Sequence, residues 1–469
     1  MRELIEDILA AAREAGAQFA DLRISEGAGL NIAVQDGQAD RISTASGKGA
    51  GLRVLVDGAW GFAPTTEVTR RELLRCLREA VAMARTAAPQ VTEPGRVAEL
   101  EPIVDQVKAQ FRLDPRDIPL ADRVEAIFEL EQRARRQDPE RITNTVASYG
   151  DGYGRTWLGN TQGTFIEEEG LRCGASIFCI AQEGQVRQWA SESRTRGAGY
   201  EVFAEIDPEE FADETAQRAL GLLDAAPPPA GAFEAVVDPK IAGLLVHEAF
   251  GHNCEADAVW SGESIVAGKM GEPVAAESVT IVDDPTRPDL NGSYRYDSEG
   301  TPGERHLLVE NGVLRGFLHS LETAAQFGEP ANGSARASSA LDPPIVRMSN
   351  TYFEPGDWDF EEMIAGVKRG LYLTGGKWGY VYTARGQFTC NAEQAWAIRD
   401  GELAEHYRNV SFSGLTLETL QQVTAVGKDL QFEMGGTCGK NGQGAPVDTG
   451  GPHLRLAKLV VGGHGEAPE

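Results

Sequence analysis

Cysteine is scarce in this chain of 469 residues: there are six, Cys76, Cys173, Cys179, Cys254, Cys390 and Cys438, and no two form a C-x-x-C pair. That argues against a disulfide framework, so each cysteine reads first as a small core residue. Long apolar runs are absent too, since no stretch reaches the roughly 18 consecutive residues a membrane helix needs. The opening MRELIEDILAAAREAG has neither a basic start nor a pure apolar run. Neither a membrane span nor a secretory signal is expected, and a reducing, cytoplasmic setting follows. Basic residues are outnumbered, with 44 Lys and Arg against 71 Asp and Glu, a net charge of −27. Such a surface repels phosphate backbones and anionic membranes, which leaves nucleic acid and membrane out of the expected partners. No internal repeat or low-complexity tract is present.

What is present is ordinary globular material, 41% hydrophobic and 25% charged, enough for at least two cores and, by length, two to four domains. Glycine is plentiful at 54 residues, which points to many turns. Leu4, Ile5, Ile8, Leu9 and Ala12 form one helical stripe that stops at Gly16. Strand-like runs follow on either side of Asp36-Gly37 and Asp57-Gly58, a strong hairpin signal. Further helices are predicted near 68–87, 120–136 and 207–222, with short strands over 142–196 separated by Asp151-Gly152 and other turn signals. The run Ala225-Ala226-Pro227-Pro228-Pro229-Ala230-Gly231 cannot continue a helix and suits a semi-rigid linker. We therefore expect an N-terminal domain over 1–224, a linker over 225–232 and a C-terminal domain over 233–469. In the second half a helix near 239–250 leads a β-rich region marked by Asn311-Gly312 and Asp400-Gly401, with short helices near 359–369 and 415–425. Helices and hairpins in segregated runs argue for an α+β fold in both domains: helices plus antiparallel hairpins first, then a β-rich domain.

The most informative stretch is Asp238-Pro239 through His252. Asp238 suits an N-cap, Pro239 the first helical position, and Gly251 a stop in the left-handed conformation. Glu248 falls on the inward stripe of Ile241, Leu244, Leu245 and Ala249. A carboxylate there needs a metal ion or a held proton as partner. His247 adjoins it and His252 follows five residues on. Two imidazoles and a carboxylate in six residues begin a zinc site. Residues five apart on an ideal α-helix point about 140° apart, so both rings reach one ion only where the helix ends or bends. On spacing alone, a metal site and a chance His-Glu…His both stay open.

A third ligand decides between them. Candidates are Cys254, a remote cysteine, or one of His306, His319, His406, His453 and His464. Cys438 is the best remote choice because it lies in the glycine-rich segment Gly435–Gly444, read as a loop and a poor core segment. Lys440 beside it either favours the thiolate or is a solvated surface lysine. The other four cysteines, in helical or strand-like runs, read as core.

His247-Glu248-Ala249-Phe250-Gly251-His252, then Glu255 and Asp257, with Gly436–Gln443 near the C-terminus, resembles the TldD/PmbA family, and more narrowly its metal-bearing TldD type. The likeness extends to Asp297–Pro302 (DSEGTP) and Arg347–Thr351 (RMSNT). Phe250 and Asn253-Cys254 depart from the family's usual residues. The resemblance implies a cytoplasmic zinc metalloprotease that acts on unfolded or small, including modified, peptides and pairs with a TldE/PmbA-type subunit lacking the metal motif. It implies His247, His252 and Cys438 as Zn2+ ligands and Glu248 as the catalytic carboxylate. Three ligands leave a position for water, whose proton Glu248 would take. A peptide would add as a strand to an exposed sheet edge. The alternatives are an amide hydrolase acting on a small natural-product intermediate, a structural-zinc assembly subunit using Cys254 as a fourth ligand, and a catalytically silent subunit, which the presence of all four site residues disfavours.

Overall fold

Both N-terminal Asp-Gly pairs turn as their chemistry demands, with positive φ at Asp36, Gly37, Asp57 and Gly58. In the computed structural model, which describes residues 1–432 and 435–462, they join β1 (Phe19–Gln35), β2 (Gln38–Val56) and β3 (Ala59–Thr65). With β4 (Val104–Val107), β5 (Ile142–Asn160), β6 (Phe165–Glu183) and β7 (Val186–Arg196) they form one sheet in the order β3-β2-β1-β5-β6-β4, β7 pairing with β6. Helix α1 (Arg2–Glu14) buries Ile5, Ile8, Leu9 and Ala12 against it. Each large aliphatic side chain so buried contributes about 1.5–3 kcal/mol, against propensity differences of a few tenths, so the apolar face decides that this helix forms. Helix α2 (Arg70–Ala87) starts where the Thr69 side chain accepts from the Glu72 amide.

Two apolar clusters lie along this single sheet. One gathers α1, α2 and the Leu22, Ile24, Leu52 and Val54 end of the long strands. The other gathers α3 (Leu120–Arg135), α4 (Glu201–Ala204) and α5 (Glu214–Asp224) around Leu30, Ile32, Val34 and Tyr149. The strands run 17–19 residues, longer than the sequence signals. The reason is that glycine, read above as a mark of turns, stands inside them in cross-strand register: Gly27 opposite Gly47 and Gly154, Gly29 opposite Gly152. A Cβ on Gly29 would lie 2.6 Å from the Asp151 carbonyl oxygen and one on Gly27 3.0 Å from that of Tyr153, so these two serve close backbone approach, whereas a Cβ on Gly47 or Gly152 would meet open space.

After α5 the chain lies against the C-terminal half. The Ala226 amide donates to the His406 carbonyl at 3.0 Å, and Arg408 donates to the Leu223 carbonyl at 2.9 Å. Strand β8 (Gly231–Val237) then enters a sheet whose strands follow the order Glu402–Leu415, Gln387–Arg399, Arg369–Tyr382, β8, Leu454–Gly462, Val423–Val426. A further pairing of Glu402–Leu415 with Leu454–Gly462 closes it on itself. A second sheet of short strands includes Ile281–Asp283, Asn350–Phe353 and Gln443–Gly451. Helix α6 (Pro239–Leu245) packs between the two sheets, against Arg369–Tyr382 and Gln443–Gly451. The fold is α+β in both halves, as expected.

The DSEGTP segment joins the halves. The Asp297 carboxylate accepts from the amides of Glu299, Thr301 and Ala335, and Glu299 pairs with buried Arg53 at 2.7 Å. Arg53 also pairs with Asp21 and stacks 4.5 Å over the Trp60 ring. No helix of the described residues is long and apolar enough to cross a membrane.

Candidate metal centre

Asp238 caps α6 as predicted, its Oδ1 accepting from the Ile241 amide at 2.8 Å. Its Oδ2 accepts from Gly375 at 2.8 Å, which fixes the helix start to the strand Arg369–Tyr382. The helix then changes pitch twice. Val246–Phe250 widens into a π turn, the Gly251 amide reaching the Val246 carbonyl, and Gly251–Cys254 tightens into a 3₁₀ turn. An i→i+5 turn brings residues five apart onto one side, so the His247 and His252 rings meet with centroids 5.2 Å apart at 79°. The bend occurs where the sequence requires it, but Gly251 is right-handed, at φ −56° and ψ −45°, not left-handed as expected. Glycine is needed there for space: a Cβ would lie 2.1 Å from the Met348 sulfur.

The glycine-rich segment around Cys438, expected as a loop, is a β-hairpin. Strand Gly436–Lys440 pairs with Gln443–Gly451 across Asn441-Gly442, both at positive φ. It carries the Cys438 Sγ to 3.4 Å from His252 Nε2. Ligand atoms of His247, His252 and Cys438 all lie within 4.8 Å of one another, and among the described residues no fourth His, Cys, Asp or Glu joins them.

The two imidazoles are held differently. His252 Nδ1 sits 2.9 Å from Glu255 Oε2, whereas the buried His247 Nδ1 has no hydrogen-bond partner among the described residues, and the polar contact of that ring is with the Cys438 sulfur. Lys440 is not a solvated lysine: its Nζ lies 2.8 Å from both Asp257 oxygens and 3.2 Å from Glu255 Oε2. It ties the cysteine hairpin to the histidine segment. Burial opposes ionisation of Glu255, but Lys440 and His252 overcome it and hold the carboxyl down at about 2. Burial likewise opposes the Cys438 thiolate, yet the two imidazoles bring the thiol to about 4. A thiolate with two nitrogen donors is a set suited to zinc.

Glu248 lines the same cleft, of about 790 Å³, with His247, His252 and Cys438. Its side chain is half-buried and opens on the cleft, which answers the anomaly of a carboxylate on an inward stripe, and the burial it has raises its carboxyl above the usual range. Above it passes Gly379, where a Cβ would stand 2.7 Å from Glu248 Cγ. Sequence reading passed over Gly379 and the anchoring by Lys440, because neither lies in a motif that signals contact.

The remaining candidates lie elsewhere. Cys254 is fully buried in the apolar core of the C-terminal half. His306 contacts Ser334 and His319 contacts Thr323. His406 stacks on Trp396, and His453 bridges Asp429 and Tyr372. His464 lies outside the described residues.

Comparison with known proteins agrees across the chain. Residues 20–84 match PmbA/TldA metallopeptidase domain 1, 113–223 the central domain and 230–463 the C-terminal domain. A metalloprotease of Methanothermobacter thermautotrophicus is 39% identical over 95% of this chain and 96% of its own. A zinc metalloprotease TldD homolog of Saccharolobus solfataricus is 27% identical over 97% of this chain and 98% of its own. The crystal structure of TldE from Thermococcus kodakarensis, 19% identical, shares the fold with a TM-score of 0.76 over 98% of this chain and 100% of that one. With three consecutive domains matched and a near full-length relative at this identity, the chain belongs to the PmbA/TldD metallopeptidase family.

Proposed function

We propose that this chain is a zinc-dependent peptidase of the TldD type in which His247, His252 and Cys438 hold the ion and Glu248 is the general base. The observation that carries the reading is the convergence of three donors beside the half-buried Glu248 carboxylate in one cleft. The donor set fits the ion. Zinc bond lengths of about 2.0–2.3 Å place a nitrogen and a sulfur on one tetrahedral ion about 3.5 Å apart, close to the 3.4 Å between His252 Nε2 and Cys438 Sγ. Three protein donors with no fourth among the described residues favour a catalytic over a structural site.

Zinc bound there supplies Lewis acidity and lowers the pKa of water at the open position. The chain does the rest. A Glu248 carboxylate oxygen takes a proton from the attacking water and delivers it to the leaving amine nitrogen. Glu255 fixes the His252 ring by accepting from Nδ1. The strand Arg369–Tyr382 pairs with β8 only over Gly370–Leu373. From Gly376 onward that side of its backbone has no strand partner among the described residues, and it borders the cleft. An unfolded or small peptide adding to this edge would be held by its main chain, which makes recognition tolerant of sequence.

The fold shared with TldE supports a TldE-type chain as partner, and six unpaired cysteines support a reducing cytoplasm. The test is metal analysis with peptide hydrolysis, with and without a co-expressed TldE-type chain. Glu248→Ala is expected to keep the metal and lose turnover by about 10²–10⁴-fold; equal turnover in the variant would remove the assignment.

A further inference from the structure

The RMSNT segment contributes no donor to the three-residue group, yet two adjacent residues of it touch both elements that do. Arg347 is fully buried. Its Nη1 donates to the Gln443 carbonyl at 3.1 Å and its Nη2 to the Cys438 carbonyl, one on each strand of the hairpin. Its Nε has no hydrogen-bond partner among the described residues. Next to it, fully buried Met348 places its sulfur in the space that a side chain on Gly251 would need, at the point where the histidine segment changes pitch.

The ends of the cysteine strand are tied by other groups, Lys440 to Asp257 and Glu255 and the Gly436 carbonyl to the Asn291 amide. Among the described residues strand Gly436–Lys440 pairs only with its own return strand, so at Cys438 itself the outer side of the backbone is held by Arg347. Burying a guanidinium is costly unless its hydrogen bonds are met, and here one of its two bonds goes to the backbone of the residue that carries the sulfur and the other to the return strand. An aliphatic side chain would fill the same volume without that cost, so packing alone does not account for arginine.

We propose that Arg347 is a positioning residue for the Cys438 sulfur, with Met348 setting the imidazole side of the same separation. The dipeptide acts as a spacer between two ligand-bearing elements that the chain supplies 186 residues apart. The inference rests on reading the three donors as a metal site, and the experiment separates the two.

Full-length protein freed of metal is titrated with Co2+, following the sulfur-to-cobalt charge-transfer absorption and then displacement by Zn2+. In Arg347→Met we expect Co2+ affinity to fall about 10–100-fold, the range seen when groups behind metal ligands are lost, with a weakened sulfur band and retained visible cobalt bands. Arg347→Lys keeps a buried donor and is expected to recover part of the affinity. Wild-type affinity and a full sulfur band in Arg347→Met overturn the inference while leaving the metal reading intact. A wild type without a sulfur band overturns the metal reading and this inference with it. Should Arg347→Met not fold, Arg347→Lys carries the test: weakened affinity supports the role, and unchanged affinity overturns it.

Discussion

Gly379 and Glu248 stand so close that one added carbon would separate them by only 2.7 Å. The strand edge bordering the cleft therefore sets how far the carboxylate can move. Gly379→Ala meets Glu248 on one side and the Cys390 sulfur, 3.0 Å away, on the other. Overpacking of this kind costs about 1–3 kcal/mol, and displacing a reacting group by about 1 Å can cost a hundredfold in rate. We expect metal content to hold while kcat falls by about 10–100-fold, read by metal analysis beside peptide turnover. Unchanged kcat would show that Glu248 does not depend on this glycine.

Glu255 gives a second test. Its Oε2 lies 2.9 Å from His252 Nδ1 and 3.2 Å from Lys440 Nζ, so it supports one of the proposed ligand rings and the cysteine hairpin together. Glu255→Gln is expected to lower zinc affinity about 10–100-fold, measured by chelator competition. Affinity equal to that of the wild type would remove Glu255 from the site.

The junction between the halves makes a stability prediction. Arg53→Met leaves Asp21 and Glu299, both fully buried, without their cation. Breaking a buried ionic group by removing one partner costs about 3–5 kcal/mol. Urea unfolding should show that loss, and a change below about 1 kcal/mol would mean that water reaches the carboxylates.

Glu168 predicts a pH dependence. Burial pushes its carboxyl up to about 7, opposed by Arg295. Between the unfolded value of 4.5 and that of the native protein, the folded chain binds more protons than the unfolded one. This residue's contribution to stability therefore declines as pH rises through that window and is smallest above pH 7. Glu168→Gln removes the dependence. At pH 8 the variant is expected to exceed the wild type by about 2–3 kcal/mol, with little difference near pH 4. Parallel pH profiles of the two proteins would contradict the assignment.

Local chemistry made much of this legible in the sequence. Asp-Gly pairs set three hairpins, at 36–37, 57–58 and 400–401, though Asp151-Gly152, which reads as a turn, lies inside β5. Asp238-Pro239 set the start of α6, and the five-residue histidine spacing demanded a bend that a π turn supplies. The Asn441-Gly442 turn was equally readable, but the density of glycine around it suggested a loop. Strand length was obscured because glycines that match each other across strands look like turns when taken one at a time. Gly379, Lys440 and Arg347 stayed hidden for another reason. Each acts through atoms on segments brought near only by the sheets, and no spacing rule along the chain registers such contacts.

The distance along the chain between nitrogen and sulfur donors has a consequence for biosynthesis. A ribosome that has finished the histidine segment must add 186 more residues before the sulfur exists. Until then a nascent protein has at most two of three donors. On the proposed reading, a chain cannot complete its own site until nearly all of it has been made, and a nick anywhere in between leaves nitrogen and sulfur donors on separate pieces joined only by folded contacts.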